Sequence, residues 1–150
     1  MASKQKAASE DSEPYFLDTN ILMYAIGSRH ALRDACRGAL GRAVDRQATL
    51  VTDSEVLQEI LYRYFSIRKP DIAQVVYHAA VDLCAEIFPV RESDTARALQ
   101  LLLKRPDLST RDAIHIATME AGEIRRILST DRDFDGLEGI ERIDPAHFLE

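Results

Sequence analysis

An α/β domain whose sheet is largely parallel and covered by helices on both faces is what this sequence predicts, and three observations carry it. Short runs of strand length recur between longer stretches with helical periodicity. Those runs are apolar, as strands buried on both faces are. Enough chain separates them to hold one or two helices each, as parallel crossovers require.

Met1–Pro14 is rich in Ala, Ser, Lys and Glu with no apolar face, which predicts a disordered tail ahead of a single domain over 15–150. Tyr15–Leu17 is the first strand, with Pro14 at its edge, and Asn20–Ile26 reads as a helix. The pairs Ala31/Leu32, Ala35/Cys36, Ala39/Leu40 and Ala43/Val44 recur every four residues, so His30–Gln47 is predicted to be an amphipathic helix. Thr49–Val51 is a second strand. Thr52 and Glu55 have capping-box spacing and would open a helix running to about Ile67. Pro70 suits the first turn of the next helix, Asp71–Glu86, which places Cys84 on a helical stripe like Cys36. Ile87–Val90 is strand-like. Ser93–Lys104 is a helix stopped by Pro106, and Ser109–Ala121 is a helix with Ser109 and Asp112 as its cap and Gly122 at its close. Arg126–Ser129 and Ile140–Ile143 are the last strands.

At 150 residues, 46% apolar and 29% charged, the chain is long enough to bury one core without staples. No apolar run approaches the ~18 residues of a membrane span, and the polar start is unlike a signal peptide, so a cytoplasmic protein is expected. The two cysteines lie in no metal-binding spacing and read as core residues in a reducing compartment. The net charge of −6 argues against a protein that grips nucleic acid through a broad basic surface. An enzyme that meets phosphate through bound cations is compatible with it.

Ligands of parallel sheets bind at the carboxyl ends of the strands, and four acids can be set against that expectation. Asp18 ends the first strand in FLDTN. Asp131 follows the strand RILS. Asp112 lies in the first turn of a helix, and Glu59 lies mid-helix among Val56, Leu57, Ile60 and Leu61. Each has a local explanation: Asp18 or Thr19 as a helix cap, Asp112 as a capping-box residue, Glu59 as a solvated side chain, Asp131, Asp133 and Asp135 as turn residues. Their combination at strand ends and on adjoining helices is what points to a site.

In that order and spacing, FLDTNILMYA, SEVLQEIL, LSTRDAIHIAT and ILSTDRDFD followed by GIERIDP resemble the PIN-domain nucleases, and among them the VapC-type toxins of toxin–antitoxin pairs. The resemblance runs from Tyr15 to Phe148. It implies a three-layer α/β/α fold and a catalytic, metal-holding quartet of Asp18, Glu59, Asp112 and Asp131, with Asp133 a fifth acid and Asp135 a further alternative in the same segment. Asn20 and Thr130 match positions that line or brace such a site. It also implies an RNA substrate, cut to leave a 5′-phosphate and a 3′-hydroxyl, a homodimer, and a small antitoxin received in a groove formed with the helix Ser54–Ile67.

Carboxylates are hard oxygen ligands suited to Mg²⁺ or Mn²⁺. Two of them ~4 Å apart repel by about 4 kcal/mol at an effective dielectric near 20, so a converging group needs protons or a cation. A divalent ion would relieve the repulsion and reconcile the negative chain with a phosphodiester. His115, three residues after Asp112, is expected to be satisfied within the packing. Arg111 and Arg132 are expected on the surface, with phosphate steering as the alternative. Tyr62, Tyr64 and Phe65 cannot all face one side of a helix, so some aromatic surface should stay exposed.

Two further readings are a PIN-like scaffold without catalysis and a PIN nuclease of RNA processing without an antitoxin. Aspartyl-phosphate chemistry fits poorly. A phosphatase would need Asp-x-Asp where this chain has Asp18-Thr19-Asn20, and a receiver would need a late lysine where none follows Lys104.

Overall fold

The structure, a computed structural model, describes residues 13–27 and 29–150; the tail expected over 1–14 therefore lies outside the described residues up to residue 12. Five strands form one sheet in the order β3-β2-β1-β4-β5: β1 Tyr15–Leu17, β2 Leu50–Asp53, β3 Cys84–Phe88, β4 Arg126–Leu128 and β5 Glu141–Ile143. Every pairing is parallel. Six helices flank the sheet in a three-layer α/β/α arrangement: α1 Thr19–Ile26, α2 Arg33–Asp45, α3 Ser54–Ser66, α4 Pro70–Leu83, α5 Glu92–Lys104 and α6 Thr110–Ala121. Helix α1 packs on α2 and α4, α3 on α4, and α5 on α6.

The central strands β1 and β4 supply Phe16, Leu17, Ile127 and Leu128 to the core, all fully buried together with Ile21, Leu22, Ile60 and Met119. Apolar area removed from water at this density is the main stabilising contribution. Gly122, where α6 ends, allows a close approach to β3, since a Cβ there would stand 2.9 Å from the Phe88 ring.

Several boundaries differ from the sequence reading. Helix α2 begins at Arg33, not His30, because the Arg33 amide donates to the His30 carbonyl and the Leu32 amide to His30 Nδ1, closing a turn ahead of the helix. Thr52 does not cap α3. It is in β2, opposite Ile87 of β3, and its hydroxyl donates to the Leu17 carbonyl. Asp53 is the N-cap, accepting from the Val56 amide at 3.0 Å. Helix α4 stops at Leu83, and Cys84 opens β3 in place of lying on a helical stripe, because pairing with β2 claims its backbone.

This strand order reverses direction between β1 and β4. The chain moves from β1 to β2 and β3 on one side, then returns to β4 and β5 on the other, leaving a crevice at the carboxyl ends of β1 and β4.

Candidate active site

Asp18 follows β1 into that crevice. Its amide donates to the Leu128 carbonyl of β4 at 3.1 Å, and its Oδ1 accepts from the Thr19 amide at the start of α1. The other carboxylate oxygen, Oδ2, takes the Ser129 hydroxyl at 2.6 Å and the Asn20 amide group at 3.1 Å. Ser129 also accepts from the Asp131 amide at 3.0 Å, so one buried hydroxyl joins the acid after β1 to the acid after β4. Asn20 closes the bracket by accepting the Thr130 amide at 3.2 Å.

Asp131 caps the short 3₁₀ turn Arg132–Phe134, its Oδ1 accepting from the Asp133 amide at 2.9 Å. That turn swings Asp133 back toward the crevice. Asp112, Asp131 and Asp133 each present a carboxylate oxygen within 4.8 Å of the others. The Asp135 carboxylate is instead held by the Arg142 guanidinium at 2.7 Å. Asp112 reaches the cluster from the first turn of α6, where the Ser109 hydroxyl accepts its amide at 3.0 Å.

Glu59 projects from α3 beside these acids and is held from two sides. The Thr19 hydroxyl donates to its Oε2 at 2.6 Å, and Arg111 Nη1 donates to its Oε1 at 3.0 Å. The same guanidinium lies 3.6 Å from Glu55. Arg111 is thus an ion-pair partner of the acids while its side chain stays 39% exposed at the surface.

Charge accumulates accordingly. Burial, then the neighbouring carboxylates Asp18 and Asp131, raise Asp112 to about 6. Burial also raises Asp18, and Glu59 adds to the effect, against the lowering influence of His115 and the Ser129 hydrogen bond. This donor set fits a hard divalent cation: three convergent carboxylate oxygens and a carboxyl group poorly tolerated as an anion on its own.

Beneath the site lies a pair that the sequence did not reveal. Asp53 and His115 are both fully buried, with Nδ1 to Oδ2 at 2.7 Å, and the Thr118 hydroxyl donates to the same oxygen at 2.8 Å. Burial disfavours the imidazolium, but the Asp53 hydrogen bond and the charges of Asp53, Asp18 and Glu59 outweigh it and raise His115 to about 9. The expectation that His115 is satisfied within the packing is met at Nδ1, whereas Nε2 has no partner among the described residues. Ser129 was also missed. Its signal was a small hydroxyl at a strand end, two residues before an acid.

The PIN domain family matches residues 15–140. Ribonuclease VapC13 of Mycobacterium tuberculosis is 39% identical over 85% of this chain and 97% of its own length. Ribonuclease VapC23 of the same species is 34% identical over 77% of this chain and 91% of its own length. Among solved structures, the sarcin-ricin loop cleaving toxin VapC20 of M. tuberculosis superposes with a TM-score of 0.67 at 19% identity, over 84% of this chain and 98% of that one. VapBC2 from Rickettsia felis, bound to a promoter DNA fragment, gives 0.66 at 20% identity, over 87% of this chain and 97% of that one.

Proposed function

The chain belongs to the PIN domain family, and on that premise we propose that it is a Mg²⁺- or Mn²⁺-dependent endoribonuclease acting in the cytoplasm as the toxin of a toxin–antitoxin pair. The observation that carries the chemistry is the convergence of Asp112, Asp131 and Asp133 within 4.8 Å in the crevice that Asp18 enters from β1. Asp18, Glu59, Asp112 and Asp131 are the catalytic acids in this reading, and Asp133 completes the metal-holding group. A divalent ion bound there would neutralise the carboxylates, acidify a water and hold a phosphoryl oxygen.

The chain's own groups do the positioning. Ser129 and Asn20 fix the orientation of Asp18, and Thr19 fixes that of Glu59. Asp112, raised to about 6, readily gives up its proton when positive charge arrives. Arg111, already beside Glu59, offers guanidinium N–H groups where a phosphate would approach.

Exposed aromatic rings support α3 as the surface that meets the partner. Tyr62 and Phe65 are 65% and 57% exposed, whereas Tyr64 is buried at 6% and belongs to the core. An antitoxin segment and a second copy of the chain are the occupants the toxin reading requires, and no described helix is long and apolar enough to cross a membrane. The deciding experiment is cleavage of single-stranded RNA in Mg²⁺. Wild type should cut, while EDTA or Asp18→Asn should abolish cutting. Undiminished, EDTA-resistant cleavage by Asp18→Asn would overturn the assignment.

A further inference from the structure

Of the three aspartates that follow β4, Asp135 is turned away from the other two, and its partner gives it a different role. The segment 129–135 carries Asp131 and Asp133 into the site. Its internal hydrogen bonds, from the Asp133 amide to Asp131 Oδ1 and from the Asp135 amide to the Arg132 carbonyl, shape the 3₁₀ turn. They do not fix that turn against the sheet. Attachment comes from the buried Phe134 ring, from the Ser129 amide donating to the Ile143 carbonyl, and from one guanidinium.

That guanidinium belongs to Arg142 of β5, which lies opposite Ile127 of β4 with 11% of its side chain exposed. Its Nη1 donates to the Ser129 carbonyl at 3.0 Å, where the segment begins. Its Nε and Nη2 donate to the two Asp135 carboxylate oxygens at 2.7 and 3.3 Å, where the segment ends. One planar group thus joins both ends of the segment and fastens them to β5. A rigid fork of donors suits this task, and a lysine could not match it. Asp144 lies 3.6 Å from Nη1, but its Oδ1 already caps the next turn at the Ala146 amide.

We propose that Arg142 and Asp135 are positioning residues for the metal-holding acids: their paired hydrogen bonds close the segment 129–135 on β5 and so present Asp131 and Asp133 to Asp112. The proposal rests on the reading of those three acids as a metal-holding group, and it gives Asp135 a part other than that of a ligand. Charge alone predicts a different pattern. A cation near the acids repels a divalent ion, so its removal would tighten metal binding, whereas removal of an anion would weaken it. Positioning predicts loss from both.

The test is calorimetric titration of the metal-free protein with Mn²⁺. Arg142→Gln should weaken binding by ~10–100-fold, the range for groups that orient metal ligands. Arg142→Lys keeps the charge without the fork and should recover only part of it. Asp135→Ala should weaken binding by about tenfold. The double variant should bind no worse than Arg142→Gln alone, since both changes open the same clamp. Arg97→Gln, which breaks the exposed pair with Glu120 between α5 and α6, should leave Mn²⁺ affinity unchanged. Tighter binding by Arg142→Gln, or a double variant restored to wild-type affinity, would overturn the proposal in favour of charge. Unchanged binding by both single variants would overturn it too, leaving Phe134 to hold the segment. Amide hydrogen exchange reads the clamp without metal. The Asp131 and Asp133 amides should exchange faster in Arg142→Gln, whereas the Asp112 amide, bonded to Ser109, should not. If wild type binds no Mn²⁺ while those two amides lose protection, the clamp stands and the metal reading falls. If wild type binds Mn²⁺ and no protection is lost, the clamp falls alone.

Discussion

His115 of α6 and Asp53 at the end of β2 meet at 2.7 Å with no solvent access to either. Asp53 Oδ1 caps α3, which carries Glu59, and α6 carries Asp112, so this one pair links the supports of two site acids. Removing one partner leaves the other buried and unpaired. His115→Ala should therefore cost about 3–5 kcal/mol, measurable by urea unfolding. His115→Asn keeps a donor for Asp53 and should cost less. The folded imidazole titrates at about 9 against 6.5 for the free group. The stability it adds is thus complete below pH 6.5 and lost as pH rises through about 9. Melts of wild type should fall across that window, and those of His115→Asn should stay flat.

Asp112 produces a second loss at lower pH. Its folded value of about 6 exceeds the ordinary 3.8, so the folded state binds the proton more tightly, and stability falls as pH rises through about 6. Asp112→Asn removes this penalty and should stabilise the metal-free protein at pH 7 by ~1–2 kcal/mol, a figure discounted for partial solvent access. Millimolar Mg²⁺ should raise the melting temperature of wild type by mass action and leave the variant nearly unmoved. Equal shifts in both proteins would count against Asp112 as a ligand.

Ser129 holds Asp18 and the Asp131 amide with one hydroxyl. Ser129→Ala should lower Mn²⁺ affinity and RNA cleavage by ~10–100-fold and cost ~1–3 kcal/mol through the groups left unpaired. Ser129→Thr, which restores a hydroxyl, should recover most of the metal affinity. Calorimetric titration with Mn²⁺ separates this effect from simple instability.

On α3, Phe65 is exposed, whereas Tyr64 is core. Phe65→Ser should weaken antitoxin binding or dimerisation by ~1 kcal/mol or more, with RNA affinity unchanged. Co-purification with the neighbouring gene's product and light scattering read the two assemblies separately.

How much was legible in the sequence follows from the range of the forces involved. Strands and helices announce themselves by local apolar period, and all eleven predicted elements exist. Boundaries moved where pairing partners decided them: Thr52 has good capping chemistry, but β3 draws it into the sheet. Asp18, Asp112 and Asp131 stand out in the sequence because acids recur at strand and helix ends, and the structure brings them to one crevice. The Asp53–His115 pair was not, since its members are 62 positions apart and each has an unremarkable local role. The pairing of Arg111 with Glu59 was missed for the same reason, because only the fold brings α6 against α3.

The hydrogen bond from Ser129 to Asp18 spans 111 positions, and β1 cannot complete its pairing until β4 has arrived. During synthesis, Asp18 and Glu59 leave the ribosome before Ser129 and Asp131 have been joined to the chain. Polypeptide emerges at ~5–20 residues per second, and contacts of such long sequence separation form slowly. For on the order of seconds the emerged chain carries Asp18 and Glu59 and no crevice to gather them. A nuclease with this connectivity stays inert toward the transcript being translated until its central strands close.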